Sequence, residues 1–215
     1  VLHGAGVDLN RYIYTPYTAH DPPRFLFVGR LMREKGIEEL FCAVRRLWTE
    51  GFHVHLQLLG FFEEQYRQEV DRLVADGMTE FYGFQKEPLP FYQNCDCVVL
   101  PSYHEGMSNV LLEAAAVGRP IIASDIPGCR EAVEHSKTGL LCRAKDADSL
   151  YVAMRAFLAL SAEQKAALGQ NGRRKMEREF NKASVVAETL RIVTAEKAAP
   201  VSYTHLRAHE TAANL

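Results

Sequence analysis

The run Cys97-Val98-Val99-Leu100, followed by Pro101-Ser102, a short polar stretch and then a mostly apolar segment, is the feature that most narrows what this chain can become. Consecutive apolar residues without polar alternation describe a strand buried on both faces, the condition of a parallel sheet covered by helices. Asn109 to Val117 suits a helix with Ser108 as its N-cap, Gly118 at the left-handed C′ position and Pro120 forbidding continuation. Pro120-Ile121-Ile122-Ala123-Ser124 is then the next strand. Such a helix begins at the carboxyl edge of the sheet, where its free amide N–H groups and the positive end of its dipole favour anions. Within His104 to Glu113, Glu105 stands in the loop and Glu113 just over one turn into the helix. Ionised carboxylates accept hydrogen bonds from hydroxyls, so the pattern suits a phosphate flanked by hydroxyl-rich groups.

The rest of the chain alternates strands and helices around this unit. Residues 10 to 23 read as a surface loop, Arg24 to Val28 as an apolar strand, and Ile37 to Glu50 as an amphipathic helix with Leu40, Phe41, Val44, Leu47 and Trp48 on one face. His53 to Gly60 reads as a strand, Glu63 to Asp76 as a charged helix, Thr79 to Gly83 as a strand, Leu89 to Asn94 as a short helix and Asp96 to Leu100 as a strand. Residues 146 to 160, 161 to 179 and Lys182 to Lys197 read as helices. This is the order of an α/β fold with a doubly wound parallel sheet, its ligand at the carboxyl ends of the strands.

Between the first strand and its helix lies Gly29-Arg30-Leu31-Met32-Arg33-Glu34-Lys35-Gly36. Glycines at both ends permit tight turns, and Arg30 and Lys35 are placed to reach a diphosphate over the strand ends. Arg33 and Glu34 read as ordinary exposed ion-pairing residues. Other chemistry finds less support. With 25 basic and 27 acidic residues the chain carries no nucleic-acid footprint. Cys95-Asp96-Cys97 lacks zinc-ligand spacing, and His53 and His55, though on one strand face, have no third ligand nearby, so no metal is expected. An odd count of five cysteines without a secretory signal reads as reduced thiols in a cytoplasmic protein, and no stretch approaches the ~20 apolar residues of a membrane span.

Glu105 and Glu113, with seven residues between them and continuing E-A-A-A-V-G-R-P-I-I-A-S, resemble the E-x7-E signature of GT-B fold glycosyltransferases, especially the large retaining family 4. There the signature belongs to the carboxyl-terminal, Rossmann-like domain that binds the nucleotide-sugar donor. The resemblance implies that Glu105 contacts the hydroxyls of the transferred sugar and Glu113 the ribose, with Gly106, Met107, Ser108 and Asn109 lining the donor between them. The Gly29 to Gly36 stretch resembles the family's G-R-x-x-x-x-K-G loop, whose Arg and Lys neutralise the leaving nucleoside diphosphate, roles that fall on Arg30 and Lys35. Gly83-Phe84-Gln85 resembles the loop whose backbone meets the nucleotide base. Gly128 to Glu134 resembles a G-x-x-E-x-V helix, and Lys137 to Leu141 a T-G-x-L strand. Many members have E-x-F-G followed by Leu, Ile or Val, where this chain has Glu105-Gly106-Met107-Ser108-Asn109. Its own form resembles a subgroup of capsule, lipopolysaccharide and other surface-glycan enzymes that take UDP-sugars and extend lipid-linked acceptors.

The resemblance runs from about Gly4 to Lys197 and implies a donor-binding domain over residues 1–199, the C-terminal half of a GT-B fold. The chain starts at Val1 without an initiating Met, as if cut within a longer protein, and the amino-terminal domain that would bind the acceptor is not represented. In GT-B enzymes a last helix crosses back onto that domain, which would leave Val185, Val186, Leu190, Ile192 and Val193 short of cover. Residues 200–215 resemble an artefactual tail of cloned reading frames, the alternative being a native helix from Leu206 to Leu215. The function implied is transfer of a sugar from a nucleotide-sugar, a substrate rather than a cofactor, to a glycan or lipid-linked acceptor with retention of configuration. It would take place in the cytoplasm, with the whole enzyme able to sit peripherally on the inner membrane face. A nucleotide-sugar 2-epimerase of the same fold and a non-catalytic nucleotide-sugar binding module are the alternatives.

Overall fold

A computed structural model describes residues 6–198. In chain order the first elements are β1 (Arg24–Val28), α1 (Ile37–Thr49), β2 (His55–Leu59), α2 (Arg67–Ala75), β3 (Thr79–Gly83), α3 (Leu89–Gln93) and β4 (Cys97–Leu100). They are followed by α4 (Asn109–Val117), β5 (Ile121–Ser124), α5 (Cys129–Ala132), β6 (Gly139–Cys142), α6 (Ala147–Leu158), α7 (Ala162–Glu179) and α8 (Lys182–Ala198). The strands form one parallel six-stranded sheet in the order β3-β2-β1-β4-β5-β6. The apolar runs of β1, β4 and β5 are its centre: Phe25, Leu26, Phe27, Val98, Val99 and Ile122 have no accessible surface. That is the burial a strand needs when helices roof both its faces.

After β1 the chain winds outward through β2 to β3, returns to β4 beside β1, and winds the other way. Right-handed crossovers therefore put α1 and α2 on one face of the sheet and α4 on the other. α6 packs on α1 and α7 on α4, which completes the two layers. The point of reversal lies between β1 and β4, where the chain departs into α1 on one face and α4 on the other, the position at which open α/β sheets form their ligand crevice.

Local signals explain most boundaries. α4 stops at Gly118, left-handed at φ 86°, and α7 starts with a capping box in which the Ser161 hydroxyl accepts from the Gln164 amide and the Gln164 side chain accepts from the Ser161 amide. Three expectations need correction. The helix expected from Glu63 opens as a 3-10 turn, Glu64–Tyr66, because Tyr66 is buried and its hydroxyl donates to Glu38 on α1, so regular helix begins only at Arg67. The helix expected over Gly128 to Glu134 is a single turn, since Val133 turns extended to lead into β6. His53 lies before β2 and packs its ring edge-on against Trp48, while His55 faces Glu80, so the two do not share a site.

Cys95, Cys97, Cys129 and Cys142 are buried and Cys42 is exposed, all as free thiols. On α8, Val185 is buried, whereas Val186, Leu190 and Ile192 are 45%, 60% and 38% exposed. No helix among the described residues is long and apolar enough to cross a membrane. The 200–215 tail lies outside the described residues.

Candidate functional site

The loop leaving β1 is held by backbone contacts from both sides. Gly29 donates to the Leu59 carbonyl at 2.9 Å and Leu31 to the Phe61 carbonyl at 2.7 Å, so the chain stays paired with the segment that follows β2. Gly60 makes this possible, because any Cβ there would overlap the Gly29 carbonyl. Arg33–Lys35 forms a 3-10 turn closed by Gly36 in the left-handed region at φ 70°, with the Gly36 amide on the Arg33 carbonyl. A Cβ at Gly36 would overlap the Pro101 carbonyl, so this turn lies directly on the chain leaving β4. Tyr103 locks the contact by donating its amide to the Glu34 carbonyl at 2.8 Å.

This backbone clamp sets up the side-chain contact at the centre of the site. Lys35 Nζ lies 2.7 Å from Glu105 Oε1, and the buried Ser102 hydroxyl donates to the same oxygen at 2.7 Å. The Glu105 side chain is 12% exposed and that of Lys35 28%. Behind them Cys129 is fully covered, its thiol pushed up to about 12 by burial and by the Glu105 charge, so it presents a neutral floor. Gly128, at φ 83°, allows the β5 loop to press on the Glu105 and Gly106 carbonyls from the other side. Arg30 is exposed and makes no ion pair among the described residues, which leaves an uncommitted cation at the end of β1. The ion pairing expected of Arg33 and Glu34 is absent among the described residues. Arg33 instead meets the Tyr103 hydroxyl, and Glu34 is used through its backbone.

Glu113 is built differently. It projects from the second turn of α4, and Tyr92 on α3 donates its hydroxyl to Glu113 Oε2 at 2.9 Å. Tyr12, stacked edge-on against Tyr92 with ring centroids 6.2 Å apart, also hydrogen-bonds Glu113. Burial, followed by the Glu113 contact, raises both phenols above their ordinary range, so they remain donors at any physiological pH. A cleft of about 240 Å³ opens beside Glu113, lined also by Asp8, Arg11, Asn109 and Lys182. Ser108 occupies the expected N-cap position with extended backbone, but its buried hydroxyl makes no cap hydrogen bond, so the first amides of α4 carry no side-chain acceptor there.

On the far side of Arg30 a cavity of about 270 Å³ is lined by Gly29, Arg30, Gly60, Phe61, Phe84 and Gln85. Phe61 and Phe84 stack in parallel at 5.0 Å between centroids, both more than half exposed, and Gln85 is held by its own amide donating to the Tyr82 carbonyl at 2.7 Å. Gly106 is open to solvent and Met107 packs on the core. The residues singled out in the sequence thus fall into three groups along one sheet edge: Gly29 and Arg30 with Phe84 and Gln85, Lys35 with Glu105, and Asn109 with Glu113. The first and third groups line separate cavities among the described residues. Sequence reasoning missed Phe61, Ser102, Tyr12 and Tyr92. Only Phe61 left a trace, as an apolar pair with Phe62 straight after a strand-ending glycine, where a loop is normally polar.

Comparison with known proteins agrees with this architecture. Residues 16–175 match the family model described as "Glycosyl transferases group 1". The putative colanic acid biosynthesis glycosyltransferase WcaL of Escherichia coli is 29% identical over 201 residues, 88% of this chain and 50% of WcaL. Glycogen synthase of Mycobacterium tuberculosis is 30% identical over 207 residues, 89% of this chain and 47% of the synthase. The chain thus spans about half the length of these curated relatives. Among solved structures, sucrose-phosphate synthase from Thermosynechococcus elongatus superposes with a TM-score of 0.78 at 28% identity, covering 90% of this chain and 52% of that one. Anabaena HepE, solved in complex with UDP, gives a TM-score of 0.74 at 20% identity and covers 88% of this chain and 56% of its own, a likeness of fold. A parallel sheet with its reversal between β1 and β4, a glycine-clamped basic loop at that crevice and a family match over most of the described residues lead to one assignment: the chain belongs to the glycosyl transferases group 1 family.

Proposed function

We propose that residues 1–199 form the donor-binding half of a retaining glycosyltransferase that moves a sugar from a nucleotide-sugar, most simply a UDP-sugar, to a glycan or lipid-linked acceptor. The observation that carries this reading is the placement of the unpaired Arg30 and the Lys35–Glu105 contact at one crevice, with Glu113 farther along the same edge. The nucleotide base lies in the cavity of Phe84 and Gln85, its diphosphate over Gly29 and the cations, and the ribose hydroxyls on Glu113. Breaking the bond between sugar and diphosphate builds negative charge on the leaving oxygen. Preplaced Arg30 and Lys35 stabilise that charge without a metal ion. An ammonium has three protons to donate, so Lys35 can keep Glu105 and still meet a phosphate oxygen. The free amides at the start of α4, past Gly106, Met107 and Ser108, add to the same field.

The acceptor side of the cleft comes from a further domain, onto which the exposed Val186 and Leu190 of α8 pack. Transfer then occurs on one face of the sugar, so the anomeric configuration is kept, and a cytoplasmic enzyme working on lipid-linked acceptors sits at the inner membrane face. The UDP complex of HepE supports the donor, and the colanic acid biosynthesis in the name of WcaL supports a glycan acceptor. The epimerase and binding-module alternatives are not favoured, the relatives being named as a glycosyltransferase and a synthase.

Titration of UDP, GDP and ADP into the 215-residue chain, with a parallel assay of radiolabelled UDP-sugar transfer, tests the reading. The expected result is weak nucleotide binding, strongest for UDP, with no acceptor-dependent transfer by this chain alone. Failure of all three nucleotides to bind removes the donor site, and robust transfer overturns the two-domain requirement.

A further inference from the structure

Ser102 has no accessible surface, yet its hydroxyl is spent on a carboxylate at the ligand edge rather than on the core around it. It follows Pro101, whose carbonyl lies against the left-handed turn at Gly36, so its backbone cannot drift. Lys35 and Ser102 both use Glu105 Oε1, and Oε2 has no protein donor among the described residues. A carboxylate offers about four lone-pair sites, so the oxygen left without partners, on a side chain 12% exposed at the crevice, is set to accept from neutral hydroxyls. The two holders differ in what happens when an anion arrives. Lys35 is charged, more exposed and drawn towards phosphate. Ser102 is uncharged, fully covered and indifferent to it.

We propose that Ser102 is the positioning residue of sugar recognition: it fixes Glu105 by Oε1 so that Oε2 faces the hydroxyls of the transferred sugar while Lys35 turns to the diphosphate. Ser102 touches no ligand and acts through Glu105. The inference rests on the donor reading above and deepens it by separating the residue that reads the sugar from the groups that bind the nucleotide. Without Ser102, Glu105 sits on a loop next to Gly106, where a Cβ would meet nothing within 4 Å, and only Lys35 restrains it.

The test measures affinity of the 215-residue chain for UDP and for UDP-glucose, UDP-galactose and UDP-N-acetylglucosamine by calorimetry, in the wild type and in Ser102→Ala, Ser102→Cys, Ser102→Thr and Glu105→Gln. Ser102→Cys keeps the packing but donates poorly, so it separates the hydrogen bond from the volume should Ser102→Ala fail to fold. The sugar adds affinity over UDP alone in the wild type. Ser102→Ala and Ser102→Cys lose about tenfold of that gain, as one charge-assisted hydrogen bond commands, and Ser102→Thr keeps it. UDP itself binds all variants within about twofold. In a Glu105→Gln background Ser102→Ala costs nothing further, the mark of two residues acting as one. Equal weakening of UDP and the UDP-sugars overturns the proposal, since it shows that Ser102 only packs. So does an unchanged sugar gain in Ser102→Cys, or a wild type that binds UDP but gains nothing from any sugar. A wild type that binds no nucleotide overturns the donor reading itself, and the proposal with it.

Discussion

Glu105 and Glu113 face the same sheet edge, yet the protein holds them by opposite means. Glu105 stands on a loop and is tied to a cation, Lys35, 70 residues away in sequence, with a buried hydroxyl on the same oxygen. Glu113 stands on a helix and is tied to neutral phenols, Tyr92 and Tyr12, with no salt bridge among the described residues. A carboxylate shared with a lysine is coupled to whatever the lysine meets, so a diphosphate arriving as proposed draws on Lys35 and leaves Ser102 to hold Glu105. A carboxylate held by phenols keeps its geometry whether or not phosphate is present. The first arrangement suits a group whose task changes during a reaction, the second a group that anchors an unreacting part of the ligand.

The strongest way to break this contrast is at the clamp that only Glu105 depends on. Gly36→Ala forces a left-handed backbone on a β-carbon that must also push the Pro101 carbonyl aside. About 1–2 kcal/mol for the backbone and 1–3 for overpacking give a loss of about 2–5 kcal/mol, measured as a lowered urea midpoint with unchanged slope. A variant as stable as the wild type contradicts the close approach of the two loops. Next in size is the cation pair. In a two-domain enzyme carrying these residues, Arg30→Ala or Lys35→Ala lowers kcat/KM about a hundredfold, as loss of one transition-state donor does. Near-normal turnover in both shows that the diphosphate lies elsewhere.

Smaller, but aimed at the contrast itself, is the division between the carboxylates. Glu113→Ala weakens UDP binding to this chain about tenfold, the worth of a charged hydrogen bond to ribose, whereas Glu105→Ala changes it by about twofold or less. Equal losses in the two variants would falsify the assignment of ribose to one and sugar to the other.

The same contrast explains what could be read from the sequence. The strands were legible because β1, β4 and β5 are unbroken apolar runs, and α4 because Gly118 and Pro120 end it. The basic loop was legible because paired glycines and cations within eight residues report local geometry. What escaped was tertiary. Tyr92 and Ser102 look like ordinary core residues until the fold brings their hydroxyls to a carboxylate, and nothing in their own neighbourhoods announces it. The 3-10 opening before α2 escaped likewise, since it is set by the Tyr66 contact with Glu38, 28 residues away. Ser108 differs in the other direction: its type and place promise a cap, yet its buried hydroxyl makes no cap hydrogen bond.

The smallest effect separates charge from position. Arg33 shares the basic loop with Arg30 and Lys35 and adds the same formal charge, so a site that merely attracted anions by its field would suffer from losing any of the three. Its guanidinium, however, meets the Tyr103 hydroxyl on the α1 side, where Tyr103 in turn donates to Glu39 at 2.7 Å, while the cavity beyond β1 is lined by Arg30. Exposed charges separated by more than a Debye length are largely screened at physiological salt. Arg33→Ala is therefore expected to change UDP affinity by less than about threefold in 0.15 M salt, with stability within about 0.5 kcal/mol of the wild type. A loss equal to that of Arg30→Ala, shrinking as salt is raised, would show that the loop works as a diffuse basic patch and that the positions of Arg30 and Lys35 carry no special meaning.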